Sequence, residues 1–267
     1  MTFRARIFVA NLALLLAAGA ATGCGQEAEE LPTYPVTLRL GGALPPDGQI
    51  GEYTVTLEQG WVVLGDWWLY GMDRAAAGFA HLVPPSLHKH AGHSHGDAAM
   101  ETNIEGTFAV SLVGVPAVVA TRDLTEGHYF DGSLRLRPCT ELYAPVHPED
   151  QTLVTDDHEL WGHTLALSGT AARGDATPIP FQITVDAEAM VAGIVYGGTV
   201  WEQGATTITT RLDLAALLAD LDFEGLAGQD GAVILGPSTA GETYDLLKAR
   251  LQDPALYLHE EAEEVPE

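Results

Sequence analysis

From residue 36 onward, apolar and polar positions alternate with period two over most of the chain. Val36, Leu38 and Leu40 fall on one side and Thr37 and Arg39 on the other, the pattern of a half-buried strand. Pro45-Pro46-Asp47-Gly48 supplies a turn, Tyr53, Val55 and Leu57 mark a second strand, and Trp61 to Tyr70 form a third that is apolar on both faces. The pattern dissolves between Ala75 and Thr102 into Ala, Gly, Pro and His, then resumes at Phe108, Val110 and Leu112, at Val115 to Thr121 and at Tyr129 to Leu136. Residues 138–157 read as loop. Thr164 to Thr170 and Ile179 to Val185 flank an Arg173-Gly174-Asp175 turn and predict a hairpin, and Val191 to Tyr196 and Thr206 to Leu212 complete the strands. Helical spacing is confined to Leu214, Leu217, Leu218 and Leu221 and to Tyr244, Leu246, Leu247 and Leu251. Many short strands with little helix predict an all-β fold, an antiparallel β-sandwich with short C-terminal helices and a disordered His-rich loop.

The N-terminus follows another pattern. Arg4 and Arg6 precede an apolar run from Ile7 to Ala20, interrupted by Asn11, too short and Ala-rich for a comfortable membrane span. This is the composition of a secretory signal peptide. The run closes in Ala21-Thr22-Gly23-Cys24, which resembles the lipobox of bacterial lipoproteins, with Ala21 where leucine is usual. The resemblance implies cleavage after residue 23 and lipidation of Cys24; ordinary cleavage after Ala20 is the alternative. Gly25 in place of the aspartate that retains such proteins in the inner membrane implies a lipid anchor in the outer membrane of a bacterial cell envelope. The expected organisation is a signal peptide over 1–23, a flexible tether over 24–35, a β-sandwich domain over 36–251 with the loop at 75–102, and an acidic tail over 252–267.

Charge narrows the partners. The formal net charge is −25, and since residues 1–23 hold two arginines and no acid, removing them gives −25 − 2 = −27. Nucleic acid is excluded as the main partner, because its phosphates would be repelled. With Cys24 lipidated, Cys139 stands alone and reads as a small buried hydrophobe, with a soft metal ligand as the alternative.

The chemistry concentrates in the patternless stretch. After His81 comes His88-Lys89-His90-Ala91-Gly92-His93-Ser94-His95, four of the chain's ten histidines in eight positions. Neutral imidazole is the commonest transition-metal ligand, and in extended H-x-H both rings lie on one side of the backbone. The Ala91-Gly92 spacer lets the chain present two such pairs to one ion, and Asp97 and Glu101 add carboxylates. The segment is similar to the His-rich loops of periplasmic zinc-binding and zinc-import proteins over residues 81–97 only. Imidazole with carboxylate favours Zn²⁺, with Cu²⁺ and Ni²⁺ as alternatives; only Met72 and Met100 lie near as soft ligands for Cu⁺.

Other motifs weaken when their spacing is checked. His158-Glu159-Leu160-Trp161-Gly162-His163 is one residue too long for the zinc-protease H-E-x-x-H, and five-residue separation places the rings on different faces of a helix or a strand. His163 still qualifies as a ligand beside Gly162. Asp220-Leu221-Asp222-Phe223-Glu224-Gly225 opens like an EF-hand loop but reaches Gly231 at the position of the bidentate glutamate. Gly236-Pro237-Ser238-Thr239-Ala240-Gly241 is not a nucleophile elbow; Ser238 or Thr239 reads as a helix cap, with Glu242 assisting. Trp61, Trp67 and Trp68 suit a sugar site or, more simply, core and rim. The expected function is therefore non-enzymatic: capture, buffering or delivery of Zn²⁺ or a similar ion through His81, His88, His90, His93, His95 and His163, by a lipid-anchored protein that serves a metal transporter or another envelope protein. The alternative is a β-sandwich interaction or adhesion module whose His-rich loop is incidental.

Overall fold

The computed structural model describes residues 31–72, 99–140, 158–200, 207–228, 230–239 and 241–260. The elements below lie in one unit, Thr33–Glu267, distinct from Met1–Pro32. Cys24 and the putting of a lipid on it, like residues 73–98, fall outside the described residues.

Strand β1 (Thr33–Ala43) buries Val36, Leu38 and Leu40 at 1% exposure or less, as alternation requires. It begins inside the expected tether because Thr33, Tyr34 and Pro35 pair with Thr125, Leu124 and Asp123. A two-residue β2 (Gln49–Ile50) pairs with the start of β3 (Tyr53–Met72). The turn before it closes through Gly48 N donating to Pro45 O at 2.8 Å, with Gly48 at φ +67°. The second and third expected strands are one 20-residue strand. They look separate in sequence because β3 carries register shifts at Leu57/Gln59 and Leu64/Trp67, and each shift interrupts the alternation. Gly60 lies between them, where an added Cβ would stand 3.3 Å from the Leu112 and Leu167 side chains.

Strand β4 (Ala99–Ile104) corrects the predicted loop boundary at Thr102. It is held by its ladder to β3, Met72↔Ala99 through Trp67↔Ile104, with Ile104 buried in the core and Met100 packed against it. Strands β5 (Phe108–Ser111), β6 (Ala117–Thr125), β7 (Gly127–Leu136), β8 (Leu165–Ala172), β9 (Ile179–Val185), β10 (Ala189–Val200) and β11 (Thr207–Asp213) follow close to their expected positions. The Arg173-Gly174-Asp175 turn joins β8 to β9 as a hairpin, with Gly174 at φ +56°.

The strands form two mixed sheets. One has four strands in the order β13-β11-β1-β6, β13 being Tyr257–Glu260; the other runs β10-β7-β3-β8-β9-β12, β12 being Val233–Leu235, with β2, β4 and β5 also paired to β3. Most ladders are antiparallel, but β1 with β11 and β9 with β12 are parallel. The protein is all-β and sandwich-like. Its core joins Val36, Leu38, Leu40, Leu124, Ile208 and Leu212 of the small sheet to Val55, Val62, Trp67, Leu69, Leu134 and Leu167 of the large one.

Among the described residues, three short helices, α1 (Leu214–Leu218), α2 (Phe223–Leu226) and α3 (Glu242–Leu251), add Leu217, Leu218, Phe223, Leu247 and Leu251 to that core. Asp213 caps α1 by accepting from Ala216 N. Asp222 of the EF-hand-like stretch caps α2, accepting from Gly225 N at 3.0 Å and from Tyr53 O–H at 2.9 Å. The Gly225 amide and the Tyr53 hydroxyl hold its carboxyl below the usual carboxylate range. The expected cap on α3 is not formed. Its N-cap is Gly241, which makes no side-chain bond, while Thr239 Oγ1 accepts from Gly236 N and donates to Gly236 O. Strand β12 (Val233–Leu235) precedes α3, and β13 (Tyr257–Glu260) pairs with β11. The domain thus continues past Leu251 to Glu260, because Leu256 and Tyr257 have a core to enter.

Candidate functional site

Of the histidine-rich candidates, His81, His88, His90, His93 and His95 lie outside the described residues, as does Asp97. What the fold does determine is where that stretch is attached. Met72 ends β3 and Ala99 begins β4, and the two are direct ladder partners, so residues 73–98 leave and re-enter the sheet at one point. The same row continues through His128 of β7, partner of Met72, to Thr199 of β10. His128 Nδ1 lies 3.1 Å from Thr199 Oγ1, and its ring stacks on Phe130. Sequence periodicity gave no reason to single out His128; only the ladder brings it to the root of the histidine-rich stretch.

The His158–His163 segment is neither helix nor strand. Trp161 N donates to His158 O at 2.8 Å and His163 N to Leu160 O at 2.9 Å, forming successive turns that end at Gly162, φ +81°. The two rings go to different partners. His158 accepts from Leu160 N on Nδ1 and meets Trp61 edge-on, with centroids 5.2 Å apart. Leu160 enters a second, smaller core with Val63, Ala109, Cys139 and Ala166, flanked by Trp61 and Trp161. Cys139 is there at 0% exposure, as a buried hydrophobe.

His163 Nδ1 stands 2.5 Å from Asp186 Oδ1, with the two side chains 27% and 37% exposed. A carboxylate only accepts, so the contact puts the proton on Nδ1 and leaves Nε2 as the acceptor or ligand atom. Asp186 is 23 positions away in sequence, and the β8–β9 hairpin supplies the proximity. The surrounding backbone is tied down: Thr164 N donates to Val185 O, Cys139 N to His163 O, and Thr164 Oγ1 donates to Ala187 O at 2.6 Å while accepting from Ala187 N at 2.9 Å. Asp186 N in turn donates to Tyr244 Oη at 3.1 Å. Among the described residues no three His, Cys, Asp or Glu side chains converge as a metal site. His163 is a single oriented imidazole.

The tryptophans divide. Trp67 is fully buried, with Nε1–H donating to Tyr196 Oη at 2.8 Å. Trp61 borders the small core, and Trp68 alternates with Trp67 onto the opposite face of the sheet.

Searches of protein-family models, curated proteins and solved structures with this chain give no match. The class to which the protein belongs is therefore defined by its own architecture: an all-β, sandwich-like domain of two mixed sheets with a histidine-rich insertion between β3 and β4.

Proposed function

We propose that this protein is a lipid-anchored, cell-envelope metal-binding protein that captures, buffers or delivers a divalent transition ion through residues 81–95. The observation that carries the reading is the spacing His88-x-His90-x-x-His93-x-His95 within one insertion of the sheet. Four imidazoles within a short stretch suit Zn²⁺ best, with Cu²⁺ and Ni²⁺ as close competitors. The insertion's two ends meet at Met72 and Ala99, so an ion bound between them need not disturb the sandwich. His163, its proton held on Nδ1 by Asp186, is suited to add Nε2 as a further ligand.

Zinc titration calorimetry on the purified protein tests this reading. The wild type should bind Zn²⁺ stoichiometrically near pH 7.5, and a variant with His88, His90, His93 and His95 changed to Ser should lose that uptake. Uptake should also fall between about pH 7 and 5, since protons compete for the coordinating nitrogens. Equal zinc binding by both proteins would sink the proposal.

The envelope assignment is tested separately. Cys24→Ala should move the protein from the membrane fraction to the soluble fraction of its native host or a related bacterium. Unchanged membrane association would remove the lipid anchor from the reading and leave metal binding untouched.

A further inference from the structure

The ladder row at the root of the histidine-rich insertion joins Ala99 of β4, Met72 of β3, His128 of β7 and Thr199 of β10. Its neighbours decide which face of the sheet these residues take. Gly71 and Gly127 turn to the inner face: a Cβ on Gly71 would stand 3.2 Å from Met100 Cε, and one on Gly127 would collide with the same atom. Tyr129, next to His128, is buried in the core. Met72 and His128 alternate with these positions and so lie together on the outer face, both half-buried.

The two methionines therefore divide. Met100 packs against the main core, while Met72 belongs to neither core among the described residues. Its thioether is left beside an imidazole, because ladder partners share a face at a Cβ separation of about 5 Å. An unbranched side chain with three rotatable bonds spans that gap. His128 Nδ1 lies 3.1 Å from Thr199 Oγ1, on the β10 side of β7, so the opposite edge of the ring, Cδ2 and Nε2, turns toward β3 and Met72. Phe130 stacks on the ring at a centroid distance of 6.5 Å and holds its plane. A hydroxyl accepts as well as donates, so Thr199 can take the Nδ1 proton and leave the Nε2 lone pair for a ligand bond.

From this geometry we infer that Met72 Sδ and His128 Nε2 form a binding site for a soft monovalent cation, Cu⁺, separate from residues 81–95. Thioether sulfur selects Cu⁺ among the first-row ions. Zn²⁺ is held instead by thiolate, imidazole and carboxylate, almost always four ligands in a structural site. The row of Ala99, Met72, His128 and Thr199 holds neither thiolate nor carboxylate. Half-burial acts in the same direction, since the Born cost of taking an ion out of water grows with the square of its charge. The chain's net charge of −25 draws cations of either valence toward the protein, and the thioether chooses between them. The site uses none of the histidines in residues 81–95 and does not rest on the zinc reading.

The test uses the full chain carrying Cys24→Ala, with His88, His90, His93 and His95 changed to Ser, so that neither the N-terminal thiol nor those four histidines compete; Cys139 stays buried. Cu⁺ is supplied anaerobically with ascorbate and partitioned against the chromophoric chelator bicinchoninate. This protein should take up Cu⁺ stoichiometrically. Met72→Leu conserves volume and removes only the sulfur, and it should weaken Cu⁺ binding by at least about tenfold. His128→Gln should weaken it as much, and Met72→Leu keeps the test decisive if that variant does not fold. X-ray absorption at the copper edge should show a sulfur neighbour that Met72→Leu removes. Cu⁺ binding unchanged by Met72→Leu or by a folded His128→Gln, or no Cu⁺ uptake at all, would overturn the inference. Zn²⁺ held by the same protein as tightly as Cu⁺ would overturn it too. Zinc uptake through residues 81–95 does not enter this readout, so the two proposals fail separately.

Discussion

Trp67→Ala is expected to lower the unfolding free energy by about 3–5 kcal/mol, the range for deleting a fully enclosed aromatic side chain. For a domain of this size that corresponds to a fall in Tm on the order of 10 °C. Trp67 is at 0% exposure on the inner face of β3, its ring centroid 6.3 Å from that of Tyr196, and its Nε1–H donates to Tyr196 Oη at 2.8 Å. The loss combines a cavity between the two sheets with removal of a buried donor. Trp67→Phe separates the two contributions, since it keeps most of the volume and removes only the N–H; its expected loss is about 1–3 kcal/mol. Tyr196→Phe leaves the indole N–H unpaired and should fall in the same range. Urea denaturation with a common m-value measures all three variants. A Trp67→Ala protein as stable as the wild type would mean that β3 does not lie against the small sheet as described.

Alkaline pH is expected to unfold the protein steeply above about pH 10, the ordinary tyrosine pKa. Burial pushes the Tyr196 and Tyr257 hydroxyls far above that value, and burial also raises Tyr129 and Tyr53. Tyr196 is 3% exposed and Tyr257 4%, the latter donating to Leu251 O at 2.8 Å. Below pH 10 these tyrosines are neutral in both folded and unfolded chains, so their contribution is fully present. Above it the unfolded chain releases protons that the folded chain keeps. Stability then falls by about 1.4 kcal/mol per pH unit for each fully buried tyrosine, and continues to fall toward the raised folded pKa. Tyr196 and Tyr257 together set a slope of about 3 kcal/mol per unit, enough to consume the stability of an ordinary domain within a few units. Tyr257→Phe should flatten that slope by about half while losing the bond to Leu251 at all pH values. Stability measured between pH 8 and 11 checks this; an identical slope in wild type and variant would remove buried tyrosine as its cause.

Both predictions rest on features only partly legible in the linear chain. The strands at Val36–Leu40, Tyr129–Leu136 and Ile179–Val185 could be read because one-sided burial imposes period two on their residues, and that local rule operates before any partner is chosen. The all-β class followed from those strands together with the scarcity of helical spacing. The candidate metal ligands in residues 81–95 were proposed on a different ground, as they are neighbours in sequence and need no fold to be near one another.

What the chain could not disclose is everything that depends on partners far apart in sequence. Strand β4 turns Met100 and Ile104 toward the core, but with Thr102 between them the alternation is too short and too polar to stand out in hydropathy, and its ladder to β3 is what reveals it. The parallel pairing of β1 with β11 joins residues about 170 positions apart, a choice made by packing of the whole core and not by any turn. His163 looked like half of a failed protease motif; the β8–β9 hairpin instead gives it Asp186 and sends His158 to Trp61. Trp67 and Trp68 are adjacent and chemically identical, and the chain alone left both as core or rim. Successive residues of a strand face opposite sides, and the second sheet lies on one side only. That sheet encloses Trp67 and leaves Trp68 on the outer face.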